Sequence, residues 1–230
     1  MYGNEALLAI FVVANMLTVL LCYKLGRRWL ECYIVIATVT IYCIAGKLFD
    51  FFSLSVTPTA ATYSGIFLAT DLLTENYGKK AGFRIIRIGA FATFLFIGLT
   101  QFALLFEPLP HTEALAHSMN DVFGTSLRIS AASILSYVIA QHFDVWFYHF
   151  LHHKTGGRLL WLRNNLSTGC SQFIDSVIFF TLAFYGTVPN IVEVVIVGYS
   201  MKLAIAFIDT VPMYLSKLYR PLDLKDNQSV

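Results

Sequence analysis

Long apolar stretches separated by short polar turns dominate the chain. Seven such segments can be read, at residues 5–23, 30–52, 57–77, 83–106, 125–151, 166–186 and 190–216. An α-helix rises about 1.5 Å per residue, so roughly 20 apolar residues cross the roughly 30 Å hydrocarbon layer of a membrane. The pattern therefore predicts an all-α membrane protein, a polytopic bundle of spanning helices.

Composition supports the same class of protein. The chain is 57% hydrophobic and only 13% charged, with a mean hydropathy of +0.66, which is too apolar for an ordinary soluble domain. The net charge of +2 and the scattered basic residues argue against a nucleic-acid partner. The four cysteines show no CxxC spacing and are expected to be reduced and buried.

The distribution of lysine and arginine predicts the orientation in the membrane. Of the 16 basic residues, 13 follow segments one, three, five and seven, including two just inside the start of segment four. They are Lys24, Arg27, Arg28, Lys79, Lys80, Arg84, Arg87, Lys154, Arg158, Arg163, Lys217, Arg220 and Lys225. Because basic loops stay on the cytoplasmic side, we expect the amino terminus outside and the carboxyl terminus in the cytoplasm.

A histidine triplet in the stretch YHFLHHKTGG raises the question of a metal site. His149, His152 and His153 form the pattern HxxHH, which resembles the histidine boxes of membrane oxygenases. The chain has six histidines, split between the two sides of the membrane, and no carboxylate or cysteine cluster accompanies the triplet. We expect an aromatic and histidine cap at the membrane interface, with a zinc site that includes His142 as the alternative. The prediction is no metal and no cofactor.

Ionisable and amide side chains inside the segments are the candidates for binding a ligand. At membrane depth an ionisable group costs at least about 2.5–3.5 kcal/mol, so it requires a partner, water or a ligand. The candidates are Asp71 and Glu75 in segment three, Gln141 and Asp144 in segment five, Gln172 and Asp175 in segment six, and Lys202 in segment seven. Residues three or four apart share a helix face. We expect these groups to line one polar cavity between helices.

Simpler roles stay open for several polar residues. Asp144 and Asp209 equally fit pairing with Lys202, and Glu75 equally fits pairing with Lys79. Four further residues are candidates for ligand access or for structural roles. They are Lys47, Arg128, Asn76 and Ser171.

Four stretches carry a family likeness. FLATDLLTENYGKKAGFR, AQHFDVWFYHFL, NLSTGCSQFIDSVIFFTLAF and GYSMKLAIAFIDTVPMY occur in order between about residues 40 and 216. Together they resemble the signature of the queuosine precursor transporter family, also called the vitamin uptake transporter family. That resemblance implies a non-enzymatic importer of 7-deazaguanine bases in the bacterial cytoplasmic (inner) membrane. The implied substrates are 7-cyano- and 7-aminomethyl-7-deazaguanine and queuine.

The resemblance also implies a domain organisation. Residues 29–218 would form a six-helix core like the substrate-binding subunits of energy-coupling-factor vitamin transporters. Residues 1–28 would add one amino-terminal helix, and residues 219–230 would form a cytoplasmic tail. Self-association into a homo-oligomer stays open.

The chemistry of a guanine-like base suits the candidate residues. Its N1–H and 2-amino groups can donate together to one carboxylate, and its O6 accepts from an amide or ammonium. Asp175 or Asp71 suits the first role. The second role suits Gln172, Gln141 or Lys202.

Three other functions stay as alternatives. The first alternative is a substrate-binding subunit of a larger transporter. The chain has no GxxxxGK[ST] motif, so such a subunit would depend on a separate ATPase. A histidine-box metalloenzyme and a purely structural membrane protein are the others.

Overall fold

The computed structural model describes residues 3–51, 54–124, 127–187, 190–218 and 220–226. Seven long helices and several short elements account for most of them. The helices are α1 (Asn4–Leu25), α2 (Arg27–Ile44), α3 (Thr59–Tyr77), α4 (Lys79–Ala103), α5 (Glu113–Phe123), α6 (Leu127–Lys154), α7 (Leu160–Phe184), α8 (Ile191–Ile208), α9 (Thr210–Leu215) and α10 (Leu222–Asp226). A two-stranded antiparallel hairpin of β1 (Phe49–Phe51) and β2 (Leu54–Val56) joins α2 to α3.

The predicted helical membrane bundle is confirmed, with four differences in detail. Segment two was predicted to run to residue 52, but α2 ends at Ile44 and the chain then enters the hairpin. Helix α7 begins at Leu160, six residues before the predicted segment. The loop after α4 contains the short helix α5. Segment seven is interrupted at Asp209, because Pro212 has no N–H to donate to the carbonyl of Ile208.

Among the residues that the structure describes, four helical runs are long and apolar enough to cross a membrane on their own. They are α1, α4, α7 and the carboxyl-terminal run Ile191–Leu224. A fifth span results if α6 is joined to the preceding residues Pro110–Phe123 across a 43° bend. Helix α1 exposes Leu7, Leu17 and Leu21 by more than half, as expected for side chains that face lipid. The chain is thus an integral membrane protein.

Helix α3 lies at the centre of the bundle. Of its 19 residues, 13 are buried, and they include polar side chains such as Thr70 and Asp71. A helix buried on nearly all sides can carry polar groups that a lipid-facing helix cannot, because neighbouring helices supply the hydrogen bonds that lipid lacks. This position explains why α3 spans the bundle although it is not among the most apolar helices.

An asparagine in the middle of α1 fixes that helix against α2 and α3. The Asn15 amide donates to the backbone oxygen of Ala61 at 2.8 Å and accepts from the Tyr33 hydroxyl at 2.8 Å. Gly65 leaves room for this pair, since a Cβ added there would lie 2.1 Å from the Tyr33 hydroxyl oxygen and 2.3 Å from the Asn15 amide nitrogen. Close approach of the three helices therefore depends on Gly65.

The carboxyl-terminal helix α10 contacts the turns at one end of the bundle. The Asp223 carboxylate accepts from the backbone N–H of Arg27 at 2.9 Å and from the Tyr77 hydroxyl at 2.7 Å. Gly26, which lies between α1 and α2, has a φ of 113° that favours glycine. These contacts place α10, the α1–α2 turn and the end of α3 together.

The close approach at Gly65 generates a stability prediction. Gly65→Ala is expected to lower the stability by roughly 1–3 kcal/mol, because the added methyl group must displace Asn15 or Tyr33. Gly98→Ala is the matched control: it is also a helical glycine, but nothing lies within 4 Å of the added Cβ. Thermal unfolding of both purified variants in detergent measures the difference. Equal stability of the two variants would contradict the packing described here.

Candidate functional site

Polar side chains form a continuous column between α3, α6 and α7. On α6 and α7 these residues recur every three or four positions, and on α3 they are eight and four positions apart, so neighbouring members lie on adjoining parts of one face. The stripe on α3 contains Tyr63, Asp71 and Glu75. The stripe on α6 contains Gln141, Asp144, Tyr148 and His152. The stripe on α7 contains Arg163, Ser167, Ser171 and Asp175. Contacts between the stripes define three levels, here called inner, middle and outer. The inner level lies nearest the α6–α7 turn.

The inner level is built around a buried arginine. Arg163 is only 1% exposed and forms an ion pair with Glu75. It also donates to the Tyr148 hydroxyl at 3.2 Å and contacts Nδ1 of His152 at 2.5 Å. The Tyr148 hydroxyl donates in turn to Glu75 at 3.1 Å. These bonds hold α3, α6 and α7 together at this end.

Arg163 is a residue that the sequence analysis missed. The hydropathy pattern placed it in the loop before segment six, whereas it lies in the first turn of α7 and points into the bundle. The expected alternative for Glu75, a pair with Lys79, is therefore wrong: Glu75 pairs with Arg163, and Lys79 lies over the Phe83 ring at 5.4 Å. A signal was present in the polar residues Arg163, Ser167, Ser171 and Asp175, which recur every four positions, so that each neighbouring pair shares a helix face.

The middle level joins two carboxyl groups. The Asp71 and Asp144 side chains contact each other while being 1% and 0% exposed. Ser171 donates to Asp144 at 3.0 Å, and Thr168 lies 3.4 Å from Asp71. No ion pair within the described ranges includes either carboxylate. Two ionised carboxylates in contact repel each other, so this level requires a shared proton or a ligand that donates hydrogen bonds.

Amide groups beside the carboxylates lack partners. Both polar atoms of the Gln141 side chain and Oε1 of Gln172 are buried without a hydrogen bond to any residue that the structure describes. One oxygen each of Asp71 and Asp144 also receives no hydrogen bond from a described N–H or hydroxyl donor, although the two carboxyl groups contact each other. A buried polar atom without a partner costs roughly 1–3 kcal/mol. Several such atoms in one region indicate a place where water or a ligand completes the hydrogen bonding.

The outer level contains an ion pair between Asp175 on α7 and Lys202 on α8. The Lys202 ammonium lies 2.5 Å from one oxygen of Asp175, and the Tyr63 hydroxyl donates to the other at 2.8 Å. Lys202 also lies over the Tyr63 ring, 4.8 Å from its centroid. The alternative in which Lys202 pairs with Asp144 or Asp209 is therefore wrong, because Asp175 takes this place.

The remaining candidates have structural contacts or lie at the surface. Lys47 is exposed in the turn after α2. Arg128 donates to the backbone oxygens of Leu182 and Tyr185 at 2.6 and 2.7 Å and so caps the end of α7.

The other polar candidates form bonds between helices. The Asn76 side chain bonds Tyr23 and the backbone of Leu72, which joins α1 to α3. Ser171 supports Asp144. The Asp209 carboxylate accepts from Ser64.

The histidine triplet lies at the end of α6 beside the inner level. The ring centroids of His149, His152 and His153 are 6.1 to 6.4 Å apart. His152 contacts Arg163 and lies 3.9 Å from Glu75. His142 stacks on Phe83 and contacts the backbone oxygen of Val138. The triplet thus adjoins the Arg163 network.

Comparisons with known proteins converge on one group of transporters. A family model described as "Putative vitamin uptake transporter" matches residues 57–216. The "Probable queuosine precursor transporter" of Bacillus subtilis is 33% identical over 225 residues, which cover 96% of this chain and 97% of that protein. The "Queuosine precursor transporter" of Escherichia coli is 28% identical over 67% of this chain and 69% of its own length.

A third relative bears the same kind of name. The "Probable queuosine precursor transporter" of Haemophilus influenzae is 28% identical over 71% of this chain and 68% of its own length. No solved structure matches the chain. The expected likeness to energy-coupling-factor subunits therefore stays a prediction.

The inner level generates a prediction about coupled stability. Arg163→Met is expected to destabilise the protein by roughly 3–5 kcal/mol, because it leaves Glu75 without its charged partner. The double variant with Glu75→Met should recover most of that loss. Arg158→Met, which changes an exposed arginine five residues earlier, serves as the control. Thermal unfolding in detergent distinguishes these cases, and additive losses in the double variant would contradict the pairing.

Proposed function

The chain belongs to the vitamin uptake transporter family, and we propose that it imports queuosine precursors across the bacterial cytoplasmic membrane. The family match covers residues 57–216 and thus most of the chain. The relatives in B. subtilis, E. coli and H. influenzae all bear the name queuosine precursor transporter. All of these are transporters by name, in agreement with the expectation that the chain is not an enzyme.

One observation carries the proposal: the middle of the bundle contains buried hydrogen-bonding atoms that the described protein does not satisfy. Gln141 offers a free donor and a free acceptor, and Gln172 offers an acceptor. Asp71 and Asp144 provide acceptors, and neither forms an ion pair with a described residue. A 7-deazaguanine base has the complementary set, with N1–H and 2-amino donors on one edge and the O6 acceptor next to them. Binding such a base would satisfy both partners.

The proposed binding set keeps the seven candidates but divides their roles by level. Asp71, Asp144, Gln141 and Gln172 would contact the base directly, because their polar atoms are available. Asp175 and Lys202 would contact it from the outer level after their mutual bond opens. Glu75 would act from the inner level, where its bond to Arg163 must break before a base can pass to the cytoplasm. A cationic 7-aminomethyl group would find a carboxylate partner at any level.

We also propose the orientation and organisation that the basic residues predict. The amino terminus would face outside, and residues 219–230 would form a cytoplasmic tail after the core 29–218, with residues 1–28 as the added helix. The contacts of Asp223 with Arg27 and Tyr77 support this arrangement, since they bring α10 to the end of the bundle that carries the basic turns.

Uptake measurements test the function. Asp71→Asn and Asp175→Asn are each expected to abolish uptake or reduce it by roughly 10- to 100-fold, since a hydrogen bond to a charged group contributes about 1.5–3 kcal/mol. The readout is queuosine in the tRNA of a strain that cannot synthesise the base, fed each precursor in turn. The host should lack energy-coupling modules, so that uptake also separates a complete carrier from a subunit of a larger transporter.

Two controls make that experiment decisive. Asp121→Asn changes an exposed carboxylate in α5 and should leave uptake unchanged. Quantification of each variant in isolated membranes separates lost transport from lost insertion. Normal uptake by both buried-site variants would reject the binding set. No uptake by the unmodified protein in this host would reject a complete carrier, and no uptake in a host that contains energy-coupling modules would reject the function.

Reporter fusions test the orientation. Green fluorescent protein attached after Val230 is expected to fluoresce, whereas alkaline phosphatase at the same place should be inactive, because the carboxyl terminus faces the cytoplasm. The reverse pair of results would overturn the proposed orientation.

A further inference from the structure

A group of tyrosines next to the outer level lines a cavity that the candidate residues do not include. The cavity has a volume of about 30 Å³ and lies between α2, α3, α4 and α6. Its lining includes Tyr42, Tyr63, Tyr137, Thr38, Thr93 and Ser133. It lies toward the end of the bundle opposite the basic turns, because these residues belong to the carboxyl-terminal half of α2 and the amino-terminal parts of α3 and α6.

We propose that this tyrosine cavity is the site at which a flat heterocyclic base first binds, and that Tyr63 separates it from Asp175. The inference rests on the proposed function, and it adds the three tyrosines to the binding residues. The ligand class is a planar aromatic ring system with hydrogen-bonding groups along its edge.

The chemistry of the walls suits such a ligand. Aromatic side chains offer flat faces on which a base can stack, an interaction that contributes about 1–3 kcal/mol per base. Tyr137 is 6% exposed, and its hydroxyl has no hydrogen-bond partner among the residues described. The Tyr42 hydroxyl donates to the Ser133 hydroxyl at 2.7 Å, which positions the tyrosine in the cavity wall. A bound ligand could replace Ser133 as the acceptor. Edge groups of a base would thus meet three hydroxyl groups.

A second cavity lies beside the tyrosine cavity, nearer the outer end of the bundle. It has a volume of about 10 Å³, shares Tyr42 and is lined by Phe96, Thr100, Gln101, Phe123 and Ser130. On α4 the hydroxyls of Thr93 and Thr100 are seven residues apart, and on α6 those of Ser130 and Tyr137 are seven apart, so each pair lies on one helix face. These hydroxyl groups would offer hydrogen bonds to a polar molecule that passes from the second cavity to the tyrosine cavity.

The size of the tyrosine cavity requires one wall to move. A volume of about 30 Å³ holds about two water molecules, which is too little for a bicyclic base. Tyr63 is the side chain whose movement joins the cavity to the column, because its ring lines the cavity and its hydroxyl donates to Asp175. Movement of Tyr63 would free one oxygen of Asp175 at the moment when a base edge with two donors arrives. Tyr42 and Tyr137 would remain as stacking faces.

Direct binding measures the contribution of the tyrosines. The full-length protein in lipid nanodiscs is titrated with 7-cyano-7-deazaguanine by calorimetry. Tyr42→Leu and Tyr137→Leu are each expected to raise the Kd about tenfold or more, because leucine fills space but offers no aromatic face. Tyr214→Leu changes a tyrosine in α9 that is 45% exposed, and it should leave the Kd unchanged.

Chemical labelling supplies a second readout that does not depend on the leucine variants folding. Ser133→Cys is introduced into a chain whose four native cysteines are replaced by alanine. A membrane-impermeant maleimide added to intact cells is expected to label this cysteine, and the base should slow the labelling. The same base should not slow labelling of Thr112→Cys, a control position in the loop after α4.

The outcomes separate this inference from the proposed function. Unchanged Kd values in both leucine variants, together with unprotected labelling at position 133, would overturn the tyrosine cavity while leaving import intact. An unmodified protein that neither binds nor imports the base would overturn the proposed function and this inference with it. Raised Kd values and protection at position 133 together support both.

Discussion

The architecture depends on how polar groups inside a membrane bundle are satisfied. Lipid offers no hydrogen bonds. Each polar side chain that points inward from α3, α6 or α7 therefore needs a hydrogen-bond partner from the protein, from water or from a ligand. At the inner level the partners come from the protein, with Arg163 between Glu75, Tyr148 and His152. At the middle level, both polar atoms of Gln141 lack a hydrogen-bond partner among the described residues, and one oxygen each of Asp71 and Asp144 receives no hydrogen bond from a described residue outside this carboxyl pair. The protein is thus closed by its own bonds at one end and incomplete in the middle.

This difference between levels suits a carrier that opens alternately to the two sides. A site in the middle that binds a base has to be reached from outside through the outer level and left through the inner level. The bonds of both levels join separate helices: Asp175 is held by Tyr63 on α3 and Lys202 on α8, and Glu75 is held by Arg163 on α7. Breaking one set at a time would expose the middle to one side only.

Much of the fold could be predicted from hydropathy because each spanning helix must be long and apolar. The details that escaped prediction depend on local chemistry or on tertiary contacts. The interruption of segment seven follows from Pro212, whose position within an apolar run could have indicated it. The early start of α7 could not be found by hydropathy, because Arg163 and Asn164 are polar. Both are buried, and Arg163 is stabilised there by Glu75 and Tyr148 on neighbouring helices.

The candidate site was predictable to a similar degree. Spacings of three and four residues correctly placed Asp144 and Asp175 on inward faces, because helical geometry alone decides this. Which residues pair across helices could not be read from one chain, since pairing depends on tilt and depth. The Lys202–Asp175 and Glu75–Arg163 pairs are examples. The tyrosine walls were hidden because aromatic residues are common throughout the sequence and most of them pack against lipid or the core.

In the proposed mechanism, a base completes the hydrogen bonds that the described side chains in the middle of the bundle leave open. A cryo-electron microscopy structure of the protein with 7-cyano-7-deazaguanine bound tests it most directly. We expect the base between α3, α6 and α7, with a carboxylate of Asp71 or Asp175 on its two-donor edge and a carboxamide of Gln141 or Gln172 on its O6. A base bound elsewhere, with those side chains still unpartnered, would contradict the account.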